Sequence, residues 1–249
     1  MTVFRQDWNR LLCNGCYGRL LSLHDTRAGA TDDSELADRL AEELLALVSE
    51  EELRKAVQLL RTRISGIDQL TERSQRLLAT SEFVARHLAN ATGLDWSAAV
   101  VGMCKAVEVE LVERLVAPLA AECRGLDLDD DAHDKDLGRI ARFCIGRSRT
   151  PPELGTIRHC LQTASYSRSR RDTSNLLRAL RRTMSRWPDS PWLLQPDGAL
   201  AVLEQVTTQY RNRAVHTDEL QQADFDACFD LVLGDRGLMW ELVRATETR

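Results

Sequence analysis

Apolar residues recur at intervals of three and four along most of the chain, the spacing that gathers them on one face of an α-helix. Trp8, Leu11, Leu12, Leu20, Leu21 and Leu23 predict one or two short helices over residues 3–24, with a break at Asn14-Gly15. After a helix start at Thr31-Asp32-Asp33-Ser34, Leu36, Leu40, Leu44 and Leu47 form a second stripe. Ser49-Glu50-Glu51-Glu52 reads as a capping box opening a helix through Leu53, Val57, Leu60 and Ile64. Together these stripes predict a helical hairpin. A coiled-coil-like dimer arm is the other reading, although two heptads are short for one.

The pattern stays helical from Asp68 to Asn90, and Gly93 is a natural stop. Asp95-Trp96-Ser97 then opens a helix that is apolar nearly all round to about Val116, which predicts a central position in the core. Its polar exceptions are Lys105, Glu108, Glu110 and Glu113. Lys105 with Glu108 reads as an i, i+3 surface pair, and a functional carboxylate at Glu108 is the sharper alternative. Thr150-Pro151-Pro152-Glu153 reads as a capping box with proline at the first helical positions, followed by the stripe Leu154, Ile157, Cys160 and Leu161. Residues 122–136 and 165–171 are polar enough to predict loops. Trp187-Pro188-Asp189-Ser190-Pro191-Trp192 reads as a linker or sharp turn into a helix over residues 200–216. A last helix carries Phe225, Cys228, Phe229, Val232, Leu238 and Leu242, with breaks available at Gly234 and Gly237. The predicted class is all-α: a multi-helix bundle with an N-terminal helical hairpin segment. Residues 1–70 form that segment and residues 71–249 the helical domain.

Composition sharpens this picture in three ways. A chain of 249 residues with only six Pro and 13 Gly is long enough for a sizeable helical core. No apolar run approaches the roughly 20 residues of a membrane span, and the first residues lack the apolar region of a signal peptide, so a cytoplasmic protein without membrane partners is expected. The seven Cys are scattered, which predicts buried thiols rather than a disulfide framework. Cys13 and Cys16 with His24 are able to begin a zinc site, but no second pair completes four-coordination, so no metal and no cofactor are expected.

Charge is distributed unevenly. Residues 122–136 carry Glu122 and six Asp against Arg124 and Lys135. From Leu137 to Trp187 there are 12 Arg and no Lys against Glu153 and Asp172, a formal +10 in a chain whose net charge is −5. Nucleic-acid affinity follows the local positive field, which makes Arg168, Arg170 and Arg171 candidate RNA contacts. The plainer reading is a solvated helix face in an Arg-rich chain.

The stretch from Tyr210 to Leu220 concentrates the chemistry. Arg211 offers a planar five-donor fork suited to a phosphate, and the unperturbed pKa of a His such as His216 lies nearest neutrality. Arg19 and His24 repeat the spacing, but Leu20-Leu21 follow that Arg directly, whereas Asn212 follows Arg211. On a continuous helix Asn212 and His216 share a face, while Arg211 and His216 diverge by about 140°. Either the helix ends near His216, or a second chain across a two-fold axis completes the site. The plain alternative pairs Arg211 with a carboxylate and leaves His216 as a helix-end residue favoured by the dipole.

Arg211-Asn212-x-x-x-His216, set between two late helices of a helical chain, resembles the signature of the HEPN superfamily, the higher eukaryotes and prokaryotes nucleotide-binding domains. The helix Cys104 to Leu111 and Leu154-Gly155-Thr156-Ile157 are similar to elements that precede the motif in some bacterial members. The likeness covers about residues 71 to 249. It implies a helical bundle that dimerises and cleaves RNA without metal, the ribose 2′-hydroxyl attacking the adjacent phosphate, often in a toxin or in antiviral defence. By the same resemblance His216 is the general acid or base, Arg211 binds phosphate, and Asn212 orients the ring or the phosphate. Other members are silent modules that sense a nucleotide or hold a protein partner. Some paired toxins carry a Tyr two residues after the His as the target of an antitoxin; that position here is Asp218, which counts against regulation by that route.

Overall fold

The computed structural model of the chain describes residues 49–89, 94–215 and 219–247. The expectations for residues 1–48, including the first half of the predicted hairpin and the Cys13/Cys16/His24 set, lie outside the described residues, as do His216, Thr217 and Asp218. Among the described residues there is no strand, and the protein is an all-α multi-helix bundle. It divides into two compact units, residues 1–106 with 208–232 and residues 107–207 with 233–249.

In the first unit, α1 (Glu50–Arg63) begins as the sequence indicates. Ser49 accepts the Glu52 N–H and the Glu52 carboxylate accepts the Ser49 N–H at 3.1 Å, a capping box that satisfies two otherwise orphaned donors. The chain turns at Gly66, whose φ of 86° suits glycine, and enters α2 (Glu72–Leu88). α1 and α2 pack together through Leu53, Leu60, Leu77, Leu78 and Ala79. The buried Glu82 is held between Arg63 and Arg86, whose nearer guanidinium nitrogen lies 2.7 Å from the carboxylate in the second case. α3 (Ser97–Leu111) starts beneath Trp96, whose ring lies 5.6 Å from that of Phe225 on α11 (Gln222–Leu233).

The second unit holds the C-terminal end of α3, a π-helical turn at Val112–Val116, and α4 (Ala117–Glu122). The apolar helix thus runs six residues past its predicted end. Pro118 lacks an N–H and crowds the carbonyl four residues back; the wide turn just before it accommodates both. α5 (Lys135–Cys144), α6 (Leu154–Tyr166), α7 (Arg168–Thr173), α8 (Asn175–Met184), α9 (Ala199–Gln205) and α12 (Leu238–Thr246) complete this unit, with Leu137, Ile140, Leu154, Ile157, Leu161, Leu180, Leu193, Leu203 and Leu242 buried at its core. Burying each such side chain contributes roughly 1.5–3 kcal/mol against chain entropy.

Three local expectations are corrected here. Thr150-Pro151-Pro152 is not helical, because each proline disfavours the helical region for its predecessor, and α6 begins only at Leu154 after an extended Glu153. Ser165 to Arg171 is no loop: Ser167 ends α6 and its hydroxyl accepts the Arg170 N–H at 3.4 Å to open α7. Residues 122–136 are no solvated loop either. They include a 3₁₀ turn at Asp129–His133, and Asp131, 1% exposed, accepts the Leu176 N–H at 3.1 Å near the start of α8.

The Trp187-Pro188 stretch is a packed turn rather than a linker. Trp187 and Ser190 are buried, and the Ser190 hydroxyl donates to the Met184 carbonyl at 2.8 Å. A Cβ on Gly198 would stand 2.3 Å from the Trp192 carbonyl oxygen, so this close approach requires glycine where α9 begins. The thiols of Cys104, Cys123, Cys144, Cys160 and Cys228 are free and buried, as expected, among the described residues.

Candidate active site and basic face

α9 continues through a π-helical turn at Val206–Arg211 into α10 (Asn212–Val215). The predicted helix over residues 200–216 is therefore present as far as Val215, with one widened turn. Thr207 contributes to that widening: its hydroxyl donates to the Leu203 carbonyl at 2.6 Å, a back-bond that competes with the regular ladder and bends helices. Arg211 closes the wide turn, half-buried, and one of its guanidinium N–H groups donates to the Asn212 side-chain oxygen at 3.2 Å. The two motif residues are thus coupled side chain to side chain. That bond fixes one edge of the guanidinium fork.

Both flanks of His216 are anchored within the first unit. Upstream, Ala214 and Val215 are buried. Downstream, the buried Leu220 accepts the Trp96 N–H at 2.9 Å through its carbonyl and donates its own N–H to Asp95 at 3.1 Å. The same Asp95 oxygen accepts the Ser97 N–H and hydroxyl, which ties this chain exit to the start of α3. Arg213 reaches Asp224 at 3.0 Å, and Asp224 also accepts the Gln221 N–H at 2.9 Å. Tyr210 is buried just before the motif. Burial pushes its phenol above the ordinary value, with the neighbouring Cys228 and Asp224 adding to the effect. Asp95, Arg213 and Asp224 are the supports that the sequence reading missed. Asp95 reads there only as part of a helix start, and its bond to a residue 125 positions away leaves no local signal.

Glu108 sits in the second unit and is 8% exposed, so it is buried rather than on the surface where the sequence places it. Its carboxylate accepts the N–H of Leu154 at 3.0 Å. Glu153, at the N-cap position, makes no side-chain cap, and Glu108 performs that task from 46 residues away. Glu110 is fully buried and takes the Arg114 guanidinium at 2.6 Å.

Arg168, Arg170 and Arg171 share the short α7 of the second unit but have different surroundings. Arg171 donates to the carbonyls of Ala164 and Ser165 at 3.3 and 3.0 Å, satisfying groups at the end of α6. Arg170 lies 3.9 Å from Asp134. Arg168 is exposed and makes no hydrogen bond or ion pair among the described residues. Asp134 itself caps α5 by accepting the Asp136 and Leu137 N–H groups, and its second oxygen meets the His159 ring nitrogen at 3.1 Å. Burial pushes the Asp134 carboxyl up, but these N–H groups and His159 outweigh it and hold the group below the usual carboxylate value.

The acidic stretch folds onto the basic one. Glu122 pairs with Arg182, at 2.8 Å, and with Arg186; Asp129 pairs with Arg147 at 3.4 Å; Asp136 and Glu153 flank Arg139. Much of the formal +10 is therefore neutralised within its own unit, which sequence counting does not reveal. No three His, Cys, Asp or Glu side chains are gathered as for a metal ion among the described residues. No helix there is long and apolar enough to cross a membrane. Comparison with protein families, with curated proteins and with solved structures finds no match.

Proposed function

We propose that this protein is a metal-independent endoribonuclease of HEPN type, acting on RNA as a homodimer in which the site is completed across a two-fold axis near residues 210–218. The reading is supported by the coupling of Arg211 to Asn212 on a helical stretch described as far as Val215, next to a His whose two flanks are anchored. In this account a ribose 2′-hydroxyl loses its proton to His216 and attacks the adjacent phosphorus. The P–O5′ bond breaks, a proton returns to the leaving oxygen, and a 2′,3′-cyclic phosphate and a 5′-hydroxyl remain. Arg211 binds the phosphate and offsets the charge that develops on it, while Asn212 holds the guanidinium in position. A toxin or antiviral-defence role, with a regulatory protein or antitoxin as partner, fits such an activity.

Subunit mixing tests the composite site. Arg211→Ala and His216→Ala proteins, each inactive alone, regain cleavage when mixed if Arg and His meet across the interface. Continued inactivity of the mixture, with heterodimers confirmed by mass, would place both groups in one chain.

One observation favours a second reading, a non-catalytic helical module that senses a nucleotide or holds a protein partner. The acidic stretch neutralises much of the basic one internally, and the whole chain is acidic, with a pI of 5.6. Normal RNA integrity after incubation with dimeric wild-type protein, together with tight binding of a nucleotide, would select it.

A further inference from the structure

One face of the second unit remains unexplained by the cleavage chemistry. His159, Thr163 and Tyr166 fall at i, i+4 and i+7 of α6, so they line one side of that helix over about 10 Å. The Thr163 hydroxyl lies 3.4 Å from the same His159 nitrogen that meets Asp134, and Arg170 stands beside Asp134. Tyr166 is 61% exposed, one of two large apolar side chains left open among the described residues. Arg168 follows it by two residues and is also exposed.

We propose that this face binds single-stranded RNA, with one base stacked on Tyr166 and the flanking phosphates on Arg168 and Arg170. Three features select this ligand. An exposed ring offers a flat π-face that any unpaired base can cover, whereas bases in a duplex are already stacked. The exposed Arg168 forms no ion pair among the described residues, and such a planar guanidinium takes a phosphate bidentately. Asp134, the acidic group beside Arg170, has its oxygens already engaged by two backbone N–H groups and His159, which lessens its repulsion of a phosphate, and the exposed Asp172, four residues from Arg168 on α7, forms no ion pair with it. An acidic peptide would use the same arginines but has no use for the open ring. The inference concerns a surface apart from Arg211 and His216, and it stands whether or not the protein cleaves RNA.

The test uses full-length protein and a fluorescent 2′-O-methyl oligonucleotide of 12 unpaired residues, which lacks the attacking hydroxyl. Binding is read by anisotropy at several salt concentrations. Tyr166→Ala is expected to weaken binding by roughly tenfold, and Tyr166→Phe to leave it close to wild type. Arg168→Ala should weaken it and flatten the salt dependence by about 0.7 in log–log slope, the signature of one lost contact to a single strand. Equal affinity for a duplex of the same sequence, equal displacement by polyglutamate, or unchanged binding by Tyr166→Ala with retained thermal stability would overturn the proposal.

Discussion

Replacing Glu108 by alanine should destabilise the protein at a helix 46 residues away. The Glu108 carboxylate is the acceptor for the Leu154 N–H at 3.0 Å, and both residues are buried. Removing it leaves a buried donor unsatisfied, which costs about 1–3 kcal/mol. It also removes a negative charge from the N-terminal end of the 13-residue α6, worth a further 0.3–1 kcal/mol or about 2 at most in a partly buried setting. The expected loss is therefore about 2–4 kcal/mol, which for a chain of this size lowers Tm by roughly 4–15 °C. Glu108→Gln keeps an acceptor and should lose about half as much. Thermal melts followed by circular dichroism give the stability, and amide exchange at Leu154 locates it. Because two compact units are present, local exchange is the more direct readout. A Glu108→Ala melt within about 1 °C of wild type, with Leu154 still protected, would refute the capping role. RNA cleavage abolished in a stably folded Glu108→Gln protein would instead make Glu108 a catalytic carboxylate.

Further outcomes follow from the same structure. Asp134 is held below its ordinary pKa when folded, so the unfolded chain binds its proton more readily; the stability it contributes is present above the unfolded value, near 4, and is lost as pH falls through the folded value. Asp134→Asn should flatten the acid limb of a Tm-against-pH curve, and an unchanged limb would count against it. Gly198→Ala places a Cβ against the Trp192 carbonyl and should cost about 1–3 kcal/mol in chemical denaturation. Asp95→Ala removes the acceptor of the Leu220 N–H and should cost about 1–3 kcal/mol, with the exchange of the Leu220 amide rising first.

What the sequence reveals here is what is local. The capping box at Ser49 and Glu52, the breaks at Gly234 and Gly237, the long apolar helix after Ser97 and the burial of the described thiols follow from spacing and side-chain chemistry over a few residues. The failures share a cause. Glu108 caps Leu154, Asp131 caps Leu176 and Asp95 holds Leu220, each across 45 residues or more, so no window of sequence contains both partners. Thr150-Pro151-Pro152-Glu153 has the composition of a helix start, yet the consecutive prolines keep it out of the helix and move the start to Leu154. Net charge misleads for the same reason as the caps: the acidic and basic stretches are separate in sequence and paired in space. At the candidate site the motif is legible as Arg211, Asn212 and His216. The Thr207 back-bond, the wide turn and the Asp95 anchor that frame it depend on the fold.

The central claim is tested most directly by single-turnover cleavage of a defined RNA in EDTA, comparing wild type with His216→Ala at matched dimer concentration. The account predicts metal-independent cleavage leaving a 2′,3′-cyclic phosphate, slowed by about two to four orders of magnitude in His216→Ala while the helical spectrum is retained. Cleavage that disappears with EDTA, or that proceeds in His216→Ala at the wild-type rate, would contradict it.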